Sequence, residues 1–270
     1  MTRTIGERQN GFSLLELLAA TAMFLVLCGA AFGLLIECQR AYSTQSQLLN
    51  SFQEARLGLD QIVRDVNIAG YPASGQFADS PNDPSTFAET PVAWAPGYTP
   101  GPPGTTHAPC KIGSAGTCTT PSDTDLIIET NVDPLKDQDV EWVRYQLQGT
   151  TLMRGIAQKS SGADPDATTA AALVPFVQNV MNNASAAQIA AFQAAYPSMF
   201  PGGQPVAIFR YYCGAPGGIE CSAPGGNNAP ANIRDIEVTL IVASPQLDPT
   251  TGQPRLVVLN GRGHRVNPNQ

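Results

Sequence analysis

Residues 11–18 read GFSLLELL, and from there the chain stays apolar as far as GLLIE at 33–37. One residue breaks the run, Glu16. From Phe12 to Ile36 the segment has 25 residues and this single charge. As a helix it spans roughly 37 Å at about 1.5 Å per residue, more than the ~30 Å hydrocarbon core of a bilayer, so it crosses with some tilt. The preceding MTRTIGERQNG carries Arg3 and Arg8 against Glu7. Positive residues on this flank predict that it stays cytoplasmic and that the long C-terminal part is exported.

Three ordinary readings of this start each leave something unexplained. A cleaved secretory signal has an apolar stretch of about 7–15 residues followed by a small-residue cleavage site. This stretch is longer and contains Glu16. A lipoprotein signal needs a small residue before the lipidated cysteine, and here Leu27 precedes Cys28. A plain single-pass anchor accounts for the length and the arginines but not for Glu16. A charge at the centre of a membrane helix costs about 2.5–3.5 kcal/mol, and less near the surface.

A fourth reading accounts for all of these features. GFSLLELL, with its short basic leader and its glutamate four residues after the Phe, resembles the class III signal of type IV prepilins and type II secretion pseudopilins. The resemblance implies cleavage by a prepilin peptidase between Gly11 and Phe12, retention of the helix, and methylation of the new N-terminus at Phe12. It also implies a role for Glu16. In a filament the apolar helices lose their lipid, and a buried carboxylate needs a partner. The family supplies one in the Phe12 amine of a neighbouring subunit, so Glu16 is expected to be an assembly contact.

The helix is expected to continue past the bilayer. Residues 39–67 contain no Pro, and Leu48, Phe52, Leu59, Ile62, Val63 and Val66 recur at helical spacing. Arg40, Glu54, Arg56, Asp60 and Arg64 mostly take the other faces. The helix should end near AGYP at 69–72, where Gly70 can terminate it and Pro72 cannot continue it. Beyond it the chain reads as β-rich. DLIIET at 125–130, a hairpin within VEWVRYQLQGTTLMRG at 140–155, VAIFRYY at 206–212, NIRDIEVTLIVAS at 232–244 and RLVVLN at 255–260 are the expected strands. In the fourth of these, Ile236, Val238, Leu240 and Val242 share one face. SAAQIAAFQAAY at 185–196 is an expected short helix, with capping-box spacing between Ser185 and Gln188 and a stripe of Ile189, Phe192 and Tyr196.

The order of long helix, loop and antiparallel sheet resembles the pilin fold, an α+β class. GLDQIVRDVNIAGYP at 58–72, VRYQLQGTTLMR and IRDIEVTLIVAS further resemble PilW-type minor pilins and the J-type minor pseudopilin of type II secretion. The expected organisation is a leader at 1–11, a membrane and filament-core helix at 12–36, its amphipathic continuation at 37–70, and an exported domain at 71–270. The stretches 73–124 and 156–200 depart from the family and read as insertions. The resemblance implies a structural subunit that primes or initiates a filament near its tip. Its partners would be the prepilin peptidase, other minor and major pilins or pseudopilins, and an inner-membrane assembly platform. The competing class is a single-pass anchored binding protein or enzyme that never polymerises.

Composition excludes other functions. The net charge of −7 on 270 residues gives no basic face for direct nucleic-acid binding. The 25 Gly and 23 Pro predict extensive turns and loops. Of six cysteines, Cys28 lies in the membrane segment and Cys38 just beyond it. Cys110 and Cys118, and Cys213 and Cys221, are each separated by seven residues in Gly/Pro-rich surroundings. That suits two local disulfides in an oxidising compartment. Zinc is the rival, with His107 nearby, but the spacing is too wide for a zinc knuckle. His107 and His264 are the two histidines, both expected in loops, and no phosphate loop, H-E-x-x-H or G-x-S-x-G is present. Asp133, Asp137 and Asp139 could offer oxygens to calcium but lack the Gly and Glu of an EF-hand, which favours a solvated acidic loop. No enzyme activity, cofactor or metal is expected.

Overall fold

The computed structural model describes residues 13–73, 83–88, 91–93, 123–136, 138–159, 173–214, 218–221, 232–248 and 252–266. Two compact units are distinguished, Met1–Gln47 and Leu48–Gln270, and helix α1 (Leu14–Ile68) spans the boundary between them. The class is α+β, with a long N-terminal helix followed by antiparallel sheets, consistent with a pilin-like fold.

In the second unit the described strands form two sheets where a single one was expected. The first has five strands in the order β1 (Val92–Ala93), β2 (Asp125–Thr130), β3 (Glu141–Gln148), β4 (Thr151–Gln158) and β5 (Val174–Val177). The second has four. Its strands are β6 (Phe209–Cys213), β7 (Ile219–Glu220), β8 (Ile233–Leu247) and β9 (Pro254–His264), in the order β7-β6-β8-β9. All pairings within the sheets are antiparallel. β3 and β4 form the expected hairpin, with Gln148 opposite Thr151 across Gly149 and Thr150.

Of the stripe that the periodicity predicts, Leu59, Ile62 and Val66 are buried and Val63 packs against them, while Leu48 and Phe52 are only half-buried. Ala55, Leu59, Ile62, Val66 and Ala69 enter one core cluster with Val143, Tyr145 and Leu152 of the first sheet and with Ile236, Val238, Leu240 and Val242 of the second. Branched and aliphatic side chains at i, i+3, i+4 and i+7 give the helix one apolar face, and burying it supplies most of its stability. The approach to β9 is close because β9 carries glycine there. A Cβ at Gly263 would lie 2.4 Å from Val66 Cγ1 and 2.5 Å from Val66 Cβ. The helix ends at Ile68, and Gly70 follows with a left-handed φ of 82° that other residues adopt at a cost.

One charge sits on the buried stripe. Asp65 is 1% exposed and lies three residues after Ile62. Tyr145 Oη donates to Asp65 Oδ2 at 2.5 Å, Arg154 Nη2 donates to the same oxygen at 2.9 Å, and Gln61 Nε2 donates to Oδ1 at 2.6 Å. Arg154 Nε also donates to Tyr145 Oη at 2.9 Å, and the guanidinium lies over the Tyr145 and Phe176 rings. Burial, and then the Asp65 carboxylate, push the Tyr145 phenol far above its ordinary range, so it stays a donor. The cluster ties helix to hairpin through partnered polar atoms.

A smaller cluster sits on the other face of β8. Helix α2 (Ala186–Ala195) packs Ile189 and Phe192 with Phe200, Ile241, Ala243 and Leu256. Its capping box is formed as the spacing predicts, Ser185 and Gln188 each bonding the other's backbone N–H. Residues 173–200, which depart from the family resemblance, therefore contribute to both cores through Val177, Ile189 and Phe192. His264 also differs from expectation. It ends β9, not a loop, with Nδ1 2.5 Å from Asp235 Oδ1, while Arg262 Nη2 donates to Asp235 Oδ2 at 2.8 Å.

Candidate functional site

The first unit supplies the site. In the described part of it, α1 carries its large apolar side chains uncovered. Leu14, Leu18, Met23, Phe24, Leu27 and Phe32 are all exposed, and Leu25 is 68% exposed. The helix is long and apolar enough to cross a membrane, and none of its most apolar stretch is buried. Exposed apolar surface on this scale marks an interaction with lipid or with other helices.

Thr21, Ser13 and Glu16 find partners within the helix itself. Thr21 Oγ1 donates to the carbonyls of Leu17 and Leu18, each at 3.0 Å. That is how a hydroxyl is tolerated where no water is present. At the start of the helix, Leu15 N–H donates to Ser13 Oγ at 3.3 Å, and Ser13 N–H donates to Glu16 Oε2 at 3.3 Å. Ser13 thus acts as N-cap, and Glu16 reaches back over the first turn. The carboxylate also faces the positive end of the helix dipole. Ser13 and Glu16 have the S-x-x-E spacing of a capping box, a cue in the sequence that the membrane and assembly readings of Glu16 leave out. The polar end of the segment begins at Glu37, whose carboxylate lies 3.9 Å from Arg40 Nη1 at the exposed surface.

The other expected site residues divide clearly. Gly11, Phe12, Cys110, Cys118 and His107 lie outside the described residues. Cys213 and Cys221 are joined by a disulfide with Cα atoms 5.0 Å apart, closing the β6–β7 connection. Both sulfurs belong to the main core cluster. Cys28 and Cys38 are free thiols. In the acidic loop Asp133 is exposed, Asp137 lies outside the described residues, and Asp139 accepts a hydrogen bond from Gln158 Nε2. Among the described residues no group of three or more His, Cys, Asp or Glu is placed to hold a metal ion.

Residues 7–32 match the prokaryotic N-terminal methylation motif. No curated protein and no solved structure matches the chain. The matched span covers the glutamate, the Ser13 cap and most of the uncovered apolar stretch. The motif implies processing by a prepilin peptidase and assembly with other pilin-like subunits, as structural proteins do. The chain carries the amino-terminal signature of type IV pilin-like proteins, on a helix that fits a single-pass membrane anchor.

Proposed function

We propose that this protein is a minor pilin of the PilW type or a minor pseudopilin, a subunit that primes or initiates filament assembly near the tip. The observation that carries the reading is the methylation motif at 7–32, lying on a helix whose apolar side chains are exposed among the described residues. Residues 1–11 are the leader, cut between Gly11 and Phe12, and Phe12 is methylated. Residues 12–36 anchor the subunit in the inner membrane, with Arg3 and Arg8 holding the leader on the cytoplasmic side. Residues 71–270 are exported, and the Cys213–Cys221 bridge supports an oxidising compartment for them. Cys110 and Cys118 form the second bridge there, which non-reducing peptide mapping tests directly.

In the membrane-inserted subunit Glu16 is held by its own helix start. In the filament it meets the Phe12 amine of a neighbour, and the charge sets the register between subunits. Mass spectrometry of the N-terminal peptide tests the processing step. The expected mature chain begins at N-methylated Phe12, and losing Arg3, Arg8 and Glu7 moves the net charge from −7 to −8. A mature chain that begins at Met1, or anywhere beyond Ile36, refutes the reading. A chain processed at Phe12 yet absent from sheared filaments supports the unpolymerised anchor instead.

A further inference from the structure

The five-stranded sheet has a second face that takes no part in either core cluster. By strand alternation, Ile128, Val143 and Tyr145 point to the main core, and Glu129 and Trp142 point the other way. That second face buries an unusual set of groups. Lys159 is 3% exposed, Glu129 2% and Asn131 3%. Lys159 Nζ pairs with Glu129 Oε1, donates to the Phe87 carbonyl at 3.2 Å, and lies 5.7 Å from the centre of the Phe87 ring.

The register explains how these groups meet. Thr130 lies opposite Glu141, and Glu141 opposite Gln158. Continued one step beyond the strand ends, the same register sets Asn131 level with Val140 and Lys159, and Lys159 N–H donates to Val140 O at 2.8 Å. Residues in one row share a face, and residues two apart on one strand share it too. Asn131 and Glu129 therefore stand side by side along one edge of the row. The lysine side chain already reaches across β3 to make its contact with Glu129. A buried ammonium and a buried carboxylate each carry a heavy desolvation penalty, which discharging both removes.

We propose that Lys159 and Asn131 become joined by a side-chain amide bond, with Glu129 as the proton carrier. The Lys159 ammonium gives a proton to Glu129, and the neutral amine attacks Asn131 Cγ. The new Nζ–Cγ bond forms, the Cγ–Nδ2 bond breaks, and Nδ2 leaves as ammonia with the second amine proton, which Glu129 relays. Glu129 keeps the first proton, so both buried charges are discharged. Nothing is oxidised or reduced, and no cofactor takes part. The bond would tie the segment after β2 to the segment after β4 across the sheet.

The test is the intact mass of the full chain, purified in detergent, reduced and compared with the mass of its processed sequence. The expected result is a stoichiometric deficit of one ammonia and a branched peptide joining Asn131 to Lys159. Glu129→Gln should return the chain to full mass and abolish the branched peptide. A wild-type chain at full mass, with the Lys159 amine free to acylation after denaturation, overturns the proposal. A deficit of one water with the branch at Glu129 also overturns it, because the carboxylate would then be the acceptor and not the carrier. The wild-type measurement decides the matter even if the variant fails to fold.

Discussion

Leu25 and Ile62 belong to one helix and meet opposite environments. Leu25 is 68% exposed, and Ile62 is fully buried against the sheets of its own chain. In the later part of α1 the apolar stripe finds its partner within the sequence, and the other faces carry Glu54, Arg56, Asp60 and Arg64. In the earlier part apolar side chains surround the helix on all sides, and such a helix is built to be buried in something else. The two parts therefore differ in what a substitution disturbs. Early changes should act on processing, insertion or assembly, and late changes on the folding of the domain.

The most disruptive change for that contrast is Gly11→Ala. It should leave mostly unprocessed precursor, seen as a retained leader in the N-terminal peptide, and no subunit in sheared filaments. The unfolding midpoint of the domain should not move. Processing at the wild-type level would remove the peptidase reading. Next come two replacements of Glu16. Glu16→Leu removes both the charge and the acceptor for Ser13 N–H. Glu16→Gln removes the charge and keeps an acceptor of the kind that serves in capping boxes. If the carboxylate acts by pairing with a neighbour's amine, both variants are processed and inserted normally, and both incorporate poorly relative to their membrane level. Wild-type incorporation of Glu16→Gln alone would show that the residue works as a helix cap.

The later half of the helix gives its own tests, measured as unfolding of the detergent-solubilised chain. Asp65→Ala leaves Arg154 largely buried without its carboxylate and should cost about 3–5 kcal/mol, with processing unchanged. A loss below ~1 kcal/mol would mean that the cluster is solvated in practice. Gly263→Ala places a methyl group against Val66 and should cost about 1–3 kcal/mol as overpacking. The smallest effect belongs to Gly29→Ala, where an added methyl group meets nothing within 4 Å. Its effect on domain unfolding should be undetectable, and a shift comparable to that of Gly263→Ala would contradict the division of the helix.

Most of this contrast is legible in the sequence, for reasons that differ along the chain. The long apolar run and its one carboxylate are local signals, and local signals survive without tertiary information. The same is true of DLIIET, of the β3–β4 hairpin and of α2, whose cap and apolar stripe are written in consecutive residues. The division into two sheets is not legible, because it depends on which strands pair across long separations. Strand β5 passes unseen because VPFV is short and holds a Pro. Asp65 was hidden in plain view. It falls at stripe spacing from Ile62, but only Tyr145 and Arg154, some 80–90 residues away in sequence, show why a charge belongs there. For Glu16 the assembly reading came from family likeness, and the capping contact from geometry.

Strand β8 has a consequence for how this protein can vary through descent. Ile236, Val238, Leu240 and Val242 serve one core, and Ile241 and Ala243 serve the other. Between residues 236 and 243 both parities are therefore committed for part of the strand. A single-residue insertion there would send each side chain to the opposite core, where the cavity shapes do not match. Related chains should tolerate length changes in their connections and hold this strand to a fixed count. Within it, exchanges should run between aliphatic side chains of similar volume. The stretch around TLIVA would then be the most reliable anchor for aligning distant relatives whose loops have diverged beyond recognition.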